Sequence, residues 1–105
     1  VRKIRERDIE AYLVKQVKAT GGIVRKVQWI GCRGAPDRLV MMPRCRRGEN
    51  SMWPEATIFV ELKAPGEGLE PHQEDEHDLL RAAGASVTVI DSFEGVDELV
   101  ERRGL

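Results

Sequence analysis

The sequence predicts one mixed α/β domain, a central sheet with helices packed on both of its faces. Three observations lead there. Apolar residues recur at helical spacing near the start, at Ile9, Leu13 and Val17. Short runs rich in β-branched residues follow, at 23–29, 37–42, 56–63 and 86–90. Glycine or proline punctuates most of the joins between these runs. A chain of 105 residues is enough for one core, so residues 1–105 are read as one domain, without internal repeats or low-complexity tracts.

Residues 4–20 read as the first helix, with Tyr12 and Val14 flanking its apolar stripe. Gly21-Gly22 stops it, because glycine readily takes the left-handed conformation of a helix end. Residues 23–29 read as a strand, and Gly31 to Pro36 as a glycine-rich loop before a second strand over 37–42. Residues 44–55, with Arg44, Arg46 and Arg47, read as a long hairpin connection. The run 56–63 is the clearest strand. Pro71 then opens a helix at its first position, where a missing N–H does no harm, and Gly84 closes it. A fourth strand over 86–90 and a short helix over 94–103 complete the order: helix, three strands, helix, strand, helix.

Composition narrows the class. Hydrophobic residues make up 41% and charged residues 33%, as in a globular protein, and no apolar run approaches the ~20 residues of a membrane span. The first residues lack the apolar stretch of a signal peptide, and Cys32 and Cys45 make no disulfide framework, so a cytoplasmic protein with reduced thiols is expected. The net charge of -1 hides a strong asymmetry. Residues 1–47 carry 13 Lys and Arg against 4 Asp and Glu, whereas residues 48–105 carry 4 against 14. Either one face is made for a polyanion such as DNA, or the halves interleave and cancel.

Asp37, Glu61 and Lys63 carry the chemistry. Side chains two apart on a strand share a face, so Glu61 and Lys63 project together while Leu62 points away. If the second and third strands form a hairpin, the start of one meets the end of the other and Asp37 lies opposite Glu61 and Lys63. Carboxylate oxygens suit Mg²⁺, a hard cation that keeps several waters. Such an ion lowers the pKa of a bound water and offsets charge developing on a phosphate. A lysine can polarise the attacking water or stabilise the transition state. The Leu62 backbone carbonyl is a further candidate ligand. Glu6 and Glu10 fall on the buried stripe of the first helix, where an unpaired charge is costly. Each has two readings: the acidic site, or an ordinary role at the helix dipole (Glu6) or in a salt bridge to an arginine (Glu10).

These residues match a family. Gly34-Ala35-Pro36-Asp37 followed by Glu61-Leu62-Lys63 resembles the PD-(D/E)xK nuclease signature. The finer pattern is similar to the virus-type replication-repair nuclease domain, VRR-NUC, of the stand-alone phage or bacterial type. Glu6 on the early helix, the Gly34-x-Pro36-Asp37 turn, Glu61-x-Lys63 and the downstream Gln73 occur in the family's order. Ala64-Pro65-Gly66 and Val87 to Ser92 also look family-like, and the likeness runs from about Arg5 to Val100. The resemblance implies a restriction-endonuclease-like αβββαβ core, dependence on Mg²⁺ or Mn²⁺, and a site role for Gln73. It also implies cleavage of structured DNA by a two-fold dimer, in the manner of Holliday junction resolvases. Glu6-Arg7-Asp8-Ile9 resembles the Glu-Arg-Glu-Leu pattern of archaeal resolvases, which favours Glu6 over Glu10.

Lys26, Arg33 and Arg38 surround the active-site loop and are the candidate phosphate contacts, Arg38 the least favoured; the alternative for each is a solvated surface charge. Trp29 and Trp53 could stack on unpaired bases, although packing is the commoner use of tryptophan. His72, His77, Cys32 and Cys45 lack the spacing of a zinc site. The expectation is therefore a metal-dependent, structure-specific DNA endonuclease, encoded by a prokaryote or phage and acting in the host cell. It would resolve four-way junctions as a homodimer. The competitors are a flap or nicking nuclease of the same fold, a non-cutting DNA-binding module, and a small protein-interaction domain.

Overall fold

The computed structural model describes residues 3–42 and 57–104, with side chains as far as residue 101. The elements are α1 (Glu6–Ala19), β1 (Ile23–Lys26), β2 (Arg38–Met41), β3 (Thr57–Leu62), α2 (Pro71–Ala82), β4 (Val87–Ile90) and α3 (Phe93–Gly104). The predicted order is found, and most ends shift by a residue or two. The hairpin connection expected over 44–55, with Cys45 and Trp53, lies outside the described residues.

One strand is shorter than predicted, for a physical reason. β1 was expected over 23–29 but ends at Lys26. Its partner across the ladder runs Lys26↔Arg38, after which the Val27 N–H still donates to the Asp37 carbonyl at 2.9 Å. Backbone groups alternate sides along a strand, so Pro36 turns away from β1, and the next residue due to pair, Ala35, already lies in the turn that Gly34 makes at φ +90°, where the ladder stops. The Pro36 carbonyl accepts instead from the Trp29 indole, at 2.8 Å.

The four strands lie in the order β1-β2-β3-β4. β1–β2 and β2–β3 are antiparallel, and β3–β4 is parallel. A parallel pair needs a crossover, and α2 supplies it. β3 is thus a central strand, held by Arg38↔Val60 and Leu39↔Phe59 on one side and by Glu61↔Val89 and Leu62↔Ile90 on the other.

The core fills one face of this sheet. Ile9, Leu13 and Val17 of α1 meet Val40, Ile58, Val60 and Leu62 from the strands and Val96 and Leu99 from α3, all at 1% exposure or less. The Tyr12 hydroxyl donates to Asp97 at 2.7 Å, and its ring meets Phe93 edge-on at 5.0 Å, tying α1 to α3. The opposite face carries Glu61 and Lys63 and is met there by α2, whose single fully buried residue is His77, while Ile23 and Val89 on the same face stay exposed. Among the described residues no helix is long and apolar enough to cross a membrane.

Each buried aliphatic side chain of α1 contributes about 2 kcal/mol by burial. Leu13→Ala also leaves a cavity, so the variant is expected to lose about 2–5 kcal/mol in urea denaturation. A loss below about 1 kcal/mol would show that α1 is not the second layer of this core.

Candidate active site

The pairing of β2 and β3 assembles the site. Arg38 stands opposite Val60, so the residue before the strand, Asp37, stands opposite Glu61. Residues directly opposite in an antiparallel pair point to the same side. Alternation along β3 puts Lys63 there too, while Leu62 is 1% exposed in the core on the other face. The Gly34-Ala35-Pro36 turn docks this arrangement onto α2. Gly34 has φ +90°, and a Cβ there would lie 2.5 Å from the His72 carbonyl oxygen, so only glycine lets the turn approach this closely.

Gln73, in the first turn of α2, links the charges. Its Oε1 accepts from Lys63 Nζ at 2.9 Å and from the Glu70 backbone N–H at 2.9 Å. Its Nε2 donates to Glu61 Oε2 over a long 3.5 Å. Lys63, 9% exposed, is thereby aimed by a neutral carbonyl. One helical turn later stands His77, fully buried, with Nε2 3.6 Å from Glu61 Oε1.

The electrostatics are those of crowded acids. Burial, then Asp37 and Glu6, push the Glu61 carboxyl up to about 7, against the opposing pull of Lys63 and Arg38. Burial, then Asp37, also raise Glu6, which places it in the same acidic group. Asp37 Oδ1 and Glu61 Oε1 are buried without a hydrogen-bond partner. Burial, then the Arg81 charge, lowers the pKa of His77 and leaves its ring neutral at pH 7.

Glu10 takes its other reading: its Oε2 accepts from Arg38 Nε at 2.7 Å. That contact corrects the expectation for Arg38. The residue is 7% exposed and also lies 3.1 Å from Asp37 Oδ2, so its guanidinium is spent inside the acidic group rather than offered to phosphates. Lys26 and Arg33 are exposed, as phosphate contacts require. Trp29 is a packing residue, its ring 5.4 Å from Phe59. Cys32 donates to Glu76 at 3.1 Å. Among the described residues no three Asp, Glu, His or Cys side chains gather around a common point, and Cys45 lies outside those residues.

No family model matches the chain. Two relatives do. Over 92 residues it is 46% identical to "Putative nuclease p44" of Acyrthosiphon pisum secondary endosymbiont phage 1, covering 88% of each chain. A solved structure described as a VRR_NUC domain superposes with TM-score 0.73 at 38% identity, over 91% of this chain and 94% of that one. The chain belongs to the VRR-NUC nuclease family. The VRR-NUC fold thus brings the predicted Asp37, Glu61, Lys63 and Gln73 together, leaves Glu6 within electrostatic reach of them, and pairs Glu10 with Arg38. Sequence reasoning gave His77 no place in the site. The available signal was its spacing, four residues after Gln73 and so on the same face of a VRR-NUC helix.

Glu61 gives this VRR-NUC domain a pH dependence of unusual sign. Its folded pKa of about 7 lies above the ordinary value of 4.5, so protonation favours the fold. That contribution is complete below about pH 4.5 and is lost as pH rises through 7. Glu61→Gln cannot ionise. In EDTA at pH 8 it is expected to melt roughly 5 °C above the parent chain. The advantage should shrink by pH 5, and a pH-independent difference would contradict the crowding.

Proposed function

We propose that this VRR-NUC nuclease is a metal-dependent endonuclease of branched DNA, with the four-way junction as its foremost substrate, acting as a homodimer in the cytoplasm of the host cell. The observation that carries the metal-dependent reading is the pair of unpartnered buried oxygens, Asp37 Oδ1 and Glu61 Oε1, beside a lysine that Gln73 already holds.

The donor set fits Mg²⁺ or Mn²⁺. Asp37, Glu61 and the Leu62 backbone carbonyl would hold the ion, all with hard oxygen donors, and Glu6 would act through its water shell. With few protein ligands gathered, most of the coordination is left to water, as Mg²⁺ prefers. A bound ion of this kind makes its water acidic and offsets charge on the phosphate.

The protein groups do the positioning. Lys63 is held by Gln73 at a fixed place beside Glu61, where its ammonium can orient the attacking water and offset charge growing on the phosphate oxygens. Water adds its oxygen to phosphorus as one P–O bond of the DNA backbone breaks. Lys26 and Arg33, both exposed, would grip flanking phosphates and make binding salt-dependent. A four-way junction has two-fold character, and paired cuts call for two symmetric sites, which is the reason for a dimer.

Cleavage of a labelled synthetic four-way junction tests the reading, beside linear duplex, flap and splayed-arm DNA, in Mg²⁺, Mn²⁺ or EDTA. Paired symmetric cuts in the junction are expected, absent in EDTA. Lys63→Ala should cost about 10²–10³ in rate, and Asp37→Ala at least as much. Cuts in flaps or splayed arms alone would keep the chemistry and overturn the substrate. Full activity of Asp37→Ala would overturn the site.

A further inference from the structure

His77 is an expensive residue where it stands. It is 0% exposed, and neither ring nitrogen has a hydrogen-bond partner among the described groups. An unsatisfied buried polar group destabilises a fold, which a leucine in the same place would avoid. Glu61 Oε1 faces it in the same condition, buried and unpartnered, 3.6 Å from Nε2. Two orphaned atoms of complementary chemistry point at each other.

The rest of the neighbourhood gives the contact a purpose. Glu61 Oε2 already receives Gln73 Nε2. Gln73 and His77 lie one helical turn apart, so α2 presents one N–H to each oxygen of a single carboxylate. A carboxylate oxygen has two lone pairs and can accept an N–H while still binding an ion. A gap of 3.6 Å is too long for a hydrogen bond, but the terminal torsion of a glutamate is soft, and a small turn closes it. Nε2 faces an acceptor, so the proton belongs on that nitrogen.

We propose that His77 is a positioning residue: its Nε2–H holds Glu61 Oε1 so that the Glu61 carboxylate is presented, together with Asp37, to one divalent ion. The proposal rests on the metal-dependent reading above. It assigns His77 no contact with DNA and no proton transfer. Groups that orient metal-binding carboxylates typically govern affinity by 10–100-fold.

The test uses the full chain with Mn²⁺ as probe, titrated calorimetrically, and thermal unfolding in EDTA as a separate readout. His77→Leu removes the donor and the buried nitrogens together. It is expected to unfold at or above the temperature of the parent chain, yet bind Mn²⁺ about 10–100-fold more weakly. The Mn²⁺ concentration that gives half-maximal DNA cleavage should rise in the same proportion. His77→Gln keeps an N–H at similar reach and should recover most of the affinity. Where His77→Leu fails to fold, His77→Asn replaces it: its shorter amide does not reach Glu61, so it should bind more weakly than His77→Gln. A purely structural role predicts the opposite pattern, with stability and affinity falling together in every variant. Parental Mn²⁺ affinity in His77→Leu, or equal affinity in the Asn and Gln variants, overturns the proposal alone. Absence of Mn²⁺ binding by the parent chain overturns the metal-dependent reading and this proposal with it.

Discussion

Two carboxylates, Asp37 and Glu61, are held across one antiparallel strand pair, each with a buried oxygen that nothing satisfies. Carboxylates left in water would turn apart. Here the backbone forbids it, because β3 is paired on both sides and the Asp37 carbonyl is held by Val27. The cost of that placement appears in Glu61, whose carboxyl is pushed up to about 7. Strain of this kind persists only where the surrounding structure over-determines it.

The surrounding structure is divided accordingly. One face of the sheet is a dry aliphatic layer shared with α1 and α3, and it supplies the burial that holds β2 and β3 in register. The other face meets α2, which buries a single side chain completely and instead lends Gln73 and His77 to the charged groups. Stability and chemistry are therefore kept on opposite sides of the same strands. Alternation of side chains along β3 makes this possible: Val60 and Leu62 belong to the core, Glu61 and Lys63 to the site.

Much of this was legible in the sequence because it follows local rules. Period-two alternation put Glu61 and Lys63 on one face, the Gly34-x-Pro36 turn marked the start of β2, and Pro71 marked the start of α2. Pairing across a hairpin then placed Asp37. What local rules missed are contacts made across the fold. Arg38 read as a surface cation beside the active-site loop; only the packing of α1 on the sheet shows that Glu10, 28 residues away, draws it inward. His77 was weighed only as a zinc ligand, and its burial depends on how closely α2 settles over Glu61. The same packing separates Glu6 from Glu10, which share a helical stripe: Glu10 accepts from Arg38, while Glu6 feels the charge of Asp37.

Asp37 and Glu61 crowd each other in the absence of a cation, and in the metal-dependent reading proposed above a divalent ion relieves them. Carbon-detected NMR of the Glu61 carboxyl, titrated with and without excess Mg²⁺, measures this directly. The expected midpoint without the ion is about 7, falling well toward the ordinary carboxylate range when Mg²⁺ is present. A midpoint near 4.5 that the ion does not move would contradict the claim.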